Sequence, residues 1–182
     1  MSATETAPTT APEDGLVIRL ADPAEYAAVG ELSFAAYQHD YTISDGYRAQ
    51  LLDTAGRTEE YDVWVAADVD GTLVGTVSIL RDGHDLGGAL REGELYFRLL
   101  AVSPDARRRG IGARLTAFTL DEARRRGYSV VALNSGEHMT GAHALYRSLG
   151  FVADPERDIH IHDDGQAITV HLFTRPVGAP GA

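Results

Sequence analysis

The stretch Leu99-Leu100-Ala101-Val102-Ser103-Pro104-Asp105-Ala106-Arg107-Arg108-Arg109-Gly110-Ile111-Gly112-Ala113-Arg114-Leu115 decides how this chain folds. An apolar run stops at Ser103-Pro104, three arginines follow, and two glycines flank Ile111. Ile111, Leu115, Phe118 and Glu122 then recur on one side of a helix that Gly127 stops. The pattern is a strand, a loop and a helix. The first turn of a helix offers unpaired N–H groups and a partial positive charge, so it attracts phosphate. Glycine at 110 and 112 allows an anion to approach the backbone, and the arginines add side-chain donors. The competing reading is an ordinary turn whose arginines lie on a solvated face.

Upstream of this stretch, residues 16–20 read as a short strand. Asp22-Pro23-Ala24-Glu25 supplies a capping box with proline at the first helical position, opening a helix that runs to about Tyr37. A weaker helix is expected over residues 46–55. Strands over residues 63–69 and 73–80 flank Asp70-Gly71, a hairpin signal. A glycine-rich, charged loop covers residues 82–93, and a strand over residues 94–102 leads into the decisive turn. Downstream come a strand over 129–133, a short helix over 141–149 closed by Gly150, a strand from Phe151, and a last strand over 166–175. Antiparallel strands followed by alternating strands and helices predict an α/β (α+β) mixed sheet of about 6–7 strands with about 4 helices.

Two familiar phosphate motifs fail at fixed positions. A P-loop needs lysine and then Ser/Thr after its second glycine, where this chain has Ala113-Arg114. A dinucleotide fingerprint needs glycine where Leu115 stands. Coenzyme A remains. Arg107, Gly110 and Gly112 match the Arg/Gln-x-x-Gly-x-Gly/Ala motif, and the chain resembles the GNAT superfamily of acyl-CoA N-acyltransferases. A second stretch, Ala142-His143-Ala144-Leu145-Tyr146-Arg147-Ser148-Leu149-Gly150-Phe151, is similar to that family's Ala-x-x-Leu-Tyr-x-x-x-Gly-Phe motif at every fixed position. Either motif alone is unspecific, but both in this order are specific, and the resemblance spans about residues 63–173.

The resemblance implies an N-acetyltransferase that moves an acetyl group from acetyl-CoA to a primary amine, on a small molecule or a protein N-terminus. It implies that Leu100, Ala101, Val102, Arg107, Arg108, Arg109, Gly110, Ile111, Gly112 and Ala113 hold the cofactor, and that Tyr146 points at its sulfur as acid. Tyr146 on its own would be read as a half-buried aromatic. Two positions depart from the family pattern. Met139 stands where many members carry asparagine, leaving Asn134 as the substitute. Tyr96 stands where many carry the glutamate base. Glu94 lies two residues earlier on the same strand face and is the candidate base, with Tyr96 or a water chain as alternatives. These departures keep open a second reading, an acyl-CoA-binding sensor or interaction module without turnover.

The totals agree with one domain. Of the 182 residues, 44% are hydrophobic and 24% charged, ordinary globular values. Residues 1–14 are expected to be a disordered tail, 15–176 the domain and 177–182 a flexible tail. There is no cysteine, which removes thiolate catalysis and Cys-ligated metals. No apolar run is of membrane-spanning length and no secretory signal opens the chain, so cytoplasm is the default expectation. Net charge is −11, yet residues 107–126 carry +5. That favours a polyanionic ligand at the window and disfavours nucleic acid over the whole surface; the acidic remainder suits a cationic acceptor. All sixteen basic residues are arginine. No metal is expected. His160-Ile161-His162 with His171 carries a metal reading, but a polar hairpin with solvated histidines explains it more simply. A homodimer is compatible with all of this.

Overall fold

A computed structural model describes residues 15–178; the expected N-terminal tail lies outside the described residues, as do residues 179–182 of the expected C-terminal one. The elements in order are β1 (Val17–Leu20), α1 (Tyr26–Asp40), α2 (Asp45–Leu52), α3 (Thr54–Arg57), β2 (Tyr61–Ala67), β3 (Leu73–Leu80), β4 (Glu94–Val102), α4 (Ile111–Arg125), β5 (Val130–Gly136), α5 (Thr140–Ser148), β6 (Val152–Ala153), β7 (Ile159–Asp163) and β8 (Gln166–Pro176). The sheet runs β1-β2-β3-β4-β5-β8-β6, with β7 also on β8. Among the described residues only β4 and β5 pair in parallel; the other pairings are antiparallel.

Local signals account for most of these boundaries. Asp22 and Glu25 form the expected capping box, although the turn they close, Pro23–Glu25, is a 3-10 turn and the α-helix begins at Tyr26. The helix expected over 46–55 is two helices, because Asp53 ends α2 and its carboxylate caps α3 through the Gly56 N–H at 2.9 Å. The eighth strand is β7: its His-Ile-His segment is one arm of the hairpin, paired with β8 from Ile159↔Val170 to Asp163↔Gln166. Val177 is 6% exposed and donates its N–H to the Ser129 carbonyl at 2.9 Å, so packing extends one residue into the segment expected to be a free tail.

Strand alternation sorts the core onto two faces. Trp64, Val77, Leu95 and Phe97 pack with Ile111, Leu115 and Leu120 of α4, forming the main core. Val63 and Val65, on the opposite face, pack with Val29 of α1. The arginines at the end of α4 are consumed by structure. Glu122 accepts from Arg125 at 2.7 and 2.9 Å and from Arg126 at 2.9 Å, while Arg126 also reaches Asp62 at 2.9 Å. A helix of 15 residues is about 22 Å long, so the basic window is not one patch. Only its N-terminal end faces the site.

Candidate functional site

The site exists because β4 and β5 stop pairing halfway. Their parallel register runs from Glu94↔Val130 to Phe97↔Leu133 and then ends. On the other side, β4 carries one extra residue against β3, because Thr76 pairs with Ala101 while Ser78 pairs with Arg98. Leu99 absorbs this bulge with φ +50, a conformation that bends the strand. The Ser103 N–H donates to the Val74 carbonyl on the β3 side. Alternation therefore turns the backbone groups of Leu100 and Val102 toward the gap that β5 has left. There the Tyr37 hydroxyl donates to the Leu100 carbonyl at 3.4 Å.

The gap opens into a cavity of about 480 Å³. Its walls include residues 97–102 of β4, Leu133, Asn134 and Ser135 of β5, the 106–113 turn, and Leu145 and Tyr146 of α5. All the cofactor-binding candidates except Arg109 line it. Two buried polar atoms on the β5 wall, Asn134 Nδ2 and Ser135 Oγ, have no partner among the described residues. Buried donors are costly unless satisfied, so this wall is suited to a polar ligand.

The glycines of the turn do different work. Gly110 is the N-cap of α4 with φ +72, and a Cβ there would meet nothing within 4 Å. What it supplies is the left-handed conformation, which leaves α4 without a side-chain cap and its first N–H groups open. Gly112 has a helical backbone, and a Cβ there would lie 3.3 Å from Leu145, 3.7 Å from Val102 and 3.8 Å from Leu100. It permits close packing at the cavity floor. Arg108 also has positive φ, at +65.

The three arginines of the turn are not equivalent. Arg107 forms a fork with Asp40 at 2.9 and 2.7 Å and reaches the Ala36 carbonyl at 3.3 Å. Arg109 forms a fork with Asp68 at 3.0 and 2.6 Å. Arg108 has no ion pair among the described residues and lines the cavity. Asp40 is held down to about 2, chiefly by the hydrogen bond from Arg107, so it stays a carboxylate at neutral pH.

Tyr146 is 6% exposed, packed edge-on to Phe97 and Phe151 at ring separations of 6.1 and 5.8 Å, and lines the cavity. Burial raises the pKa of its hydroxyl, keeping the proton on at neutral pH. Glu94 stands elsewhere. It opens β4, accepts Arg157 at 2.7 and 2.8 Å and the Arg91 N–H at 2.8 Å, and is absent from the cavity wall. Burial raises its pKa, but Arg157 and the Arg91 N–H outweigh that and leave it below the usual glutamate value. A carboxylate so held is a poor proton acceptor. Tyr96 is buried in a separate apolar cluster with Tyr61 and Leu172, and its hydroxyl is also pushed up by burial. Sequence reasoning missed Tyr37, Asp40 and Arg98 as cavity residues. Tyr37 and Tyr41, one helical turn apart with rings 6.1 Å apart, were the available signal.

No described helix is long and apolar enough to cross a membrane. The histidines of the β7–β8 hairpin do not converge: His171 pairs with Asp158 at 2.7 Å, and His160 meets Thr169 at 3.3 Å.

This geometry has counterparts. The chain is 34% identical over 161 residues to a mycothiol acetyltransferase of Thermobispora bispora, covering 80% of this chain and 50% of that one. It is 30% identical over 140 residues to the probable N-acetyltransferase camello of Xenopus laevis, covering 74% and 59%. Across the curated relatives it matches, the aligned part spans 36% to 59% of their length. The fold is shared with the solved structure of a putative acetyltransferase from Salmonella typhimurium with its cofactor acetyl-CoA, at TM-score 0.64 and 23% identity, covering 92% of this chain and 97% of that one. A profile of the acetyltransferase (GNAT) family matches residues 26–151, from the first helix to the start of the sixth strand. With that match laid over the gap between β4 and β5, the chain belongs to the acetyltransferase (GNAT) family.

Proposed function

We propose that this protein transfers the acetyl group of acetyl-CoA to a primary amine by direct attack. The observation that carries the reading is the meeting, in one cavity, of the unpaired edge of β4 with the uncapped N-terminus of α4. An extended amide-bearing arm fits such an edge as an added strand, and a diphosphate fits the N–H groups of the first helical turn. Names of relatives, all but one of those matched being called N-acetyltransferase or acetyltransferase, support the same chemistry.

In this scheme residues 110–113 and Arg108 hold the diphosphate, and Arg107 and Arg109 join after exchanging their carboxylate partners. The open edge of β4 at residues 100–102 and the amide of Asn134 hold the arm. A backbone N–H of that edge stabilises the oxygen that becomes negative as the amine nitrogen bonds to the carbonyl carbon. As the carbon–sulfur bond breaks, Tyr146 gives its proton to sulfur, which otherwise leaves as a thiolate of pKa ~8.5. The amine's proton passes to water, and Tyr146 is reprotonated from solvent. Asp40 is the only carboxylate of the cavity wall among the described residues and is committed to Arg107, so the base is water.

Thiol release from acetyl-CoA across an amine panel tests this. Release that requires both acetyl-CoA and an amine, with N-acetylated product, is expected. That same shortage of a free carboxylate favours the second reading, a module that binds acyl-CoA without turnover. Binding by calorimetry with no release for any amine would establish it.

A further inference from the structure

We propose that the acceptor is a small amine that also carries a carboxylate, which Arg98 receives with Arg57 behind it. The proposal rests on the acetyltransferase reading and adds the class of acceptor.

Arg98 occupies a special place. It is the first residue of β4 beyond the last pair with β5, Phe97↔Leu133. Phe97 points into the α4 face, so Arg98 points to the face covered by α1–α3. It lines the main cavity and also a second one of about 260 Å³, whose walls include Gln50, Arg57 and Tyr61. Arg98 and its neighbour Leu99 are the residues that the two cavities share. The reacting carbonyl would lie at this same divergence, so a group bonded to Arg98 is close to the attacking nitrogen.

Neither arginine is bonded to a carboxylate among the described residues. Arg98 donates to the Gln50 side-chain oxygen at 3.3 Å and lies over the Tyr61 ring at 5.9 Å. Arg57 is 9% exposed and donates to the carbonyls of Gln50 at 3.1 Å and Leu51 at 2.9 Å, and to Ser78 Oγ at 3.4 Å. These acceptors are all neutral, and neither arginine has an ion pair among the described residues. Elsewhere the chain pairs its arginines freely, as at Arg19, Arg81, Arg107, Arg126 and Arg157. Burial, and then the nearby charge of Arg98, push Arg57 down to about 10. Of the acids of the second cavity, Asp53 attracts Arg57 through space, but none of them bonds to either arginine. Asp53 caps the Gly56 N–H, and Glu59 and Glu60 are exposed at the rim.

A buried guanidinium beside a half-buried one, neither bonded to an anion, is costly, and a carboxylate ligand offsets that cost. The planar fork of arginine matches a carboxylate in two parallel hydrogen bonds, which an amide cannot reproduce. The net charge of −11 suits a cationic acceptor, whereas Arg98 and Arg57 place two guanidinium groups at the cleft itself. A protein N-terminus, whose first carboxyl is tied up in a peptide bond, lacks the recognised group.

The experiment pairs the twenty L-amino acids with their carboxamides as acceptors, together with spermidine and an alanine-initiated peptide. The expected result is at least one amino acid with kcat/KM about tenfold or more above its own amide. In Arg98→Gln that ratio falls to about one, chiefly through KM, while calorimetric affinity for acetyl-CoA is unchanged and Arg98→Lys recovers part of it. A binding arm titrates N-acetyl amino acids and N-acetyl amino amides into the CoA-loaded protein, and the acids should bind about tenfold more tightly. Amides, spermidine or the peptide reacting as well as every amino acid overturns the proposal and leaves acetyl transfer standing. No turnover with any amine removes the acetyltransferase reading instead, and the titration still decides between anion site and none: equal or absent binding of acids and amides sinks it.

Discussion

The two halves of β4 belong to one strand and follow one alternation, yet they have opposite fates. Residues 94–97 pair with β5, and Phe97 and Arg98 with β3, while Glu94 is sealed by Arg157. Ala101 and Val102 pair with β3 only, and residues 100–102 leave their other edge to a cavity. A single extra residue at Leu99 separates the two regimes. Backbone hydrogen bonds are obligatory, so a closed edge is structural and an open edge inside a protein calls for a ligand. Carboxylates obey the same division. Glu94, on the closed half, holds the sheet to a loop through Arg157 and does not reach the cavity.

The largest effect that sharpens this contrast is at the cavity floor. Gly112→Val places branched carbon against Leu145 and the turn, and acetyl-CoA affinity should drop about 100-fold, the loss of two charge-assisted hydrogen bonds. Calorimetry checks it, with the melting temperature showing that the fold persists. Next comes Tyr146→Phe. Turnover should fall about 100-fold, within the range of a positioned acid, with acetyl-CoA affinity intact. Unchanged turnover across the pH range would remove Tyr146 from the chemistry.

On the closed half the effect is on stability. Glu94→Gln should cost about 2 kcal/mol by leaving Arg157 with only the longer contact to Asp154 at 3.9 Å, while kcat/KM for acetyl transfer stays within about twofold. The folded pKa of Glu94 is lowered, so its contribution is present above the ordinary value near ~4.3 and is lost as pH falls through the folded one. Denaturation of the two proteins should therefore differ most at neutral pH and converge in acid. A loss of turnover equal to that of Tyr146→Phe would break the comparison and return Glu94 to the mechanism. The smallest effect is at Asp40. Asp40→Asn releases Arg107 for phosphate, and acetyl-CoA should bind about two- to threefold more tightly by calorimetry, the scale of an exposed ion pair.

How far the site was readable follows from the range of the forces involved. The capping box at Asp22, the hairpin at Asp70-Gly71 and the turn at residues 107–113 were legible because each is decided within a few residues. Tyr146 was legible as part of a motif, and its place on the cavity wall agrees with that motif. Glu94 was not, because strand parity identifies a face but not the partner that waits there, and Arg157 arrives from 63 residues away. Arg98 was hidden for the same reason. In a list of sixteen arginines, nothing local separates those left without an ion pair from those that have one.

By itself the sequence determined the strand-turn-helix, the left-handed cap at Gly110 and the helix that carries Tyr146, because backbone sterics and helical period act over short spans. Tertiary structure alone decided where β4 leaves β5, which carboxylates are spent on ion pairs, and which arginines line a cavity without an ion pair. Those outcomes depend on register and burial between segments far apart in the chain. Both the cost of an unpaired charge and the opening of a strand edge are set by what the rest of the fold brings near.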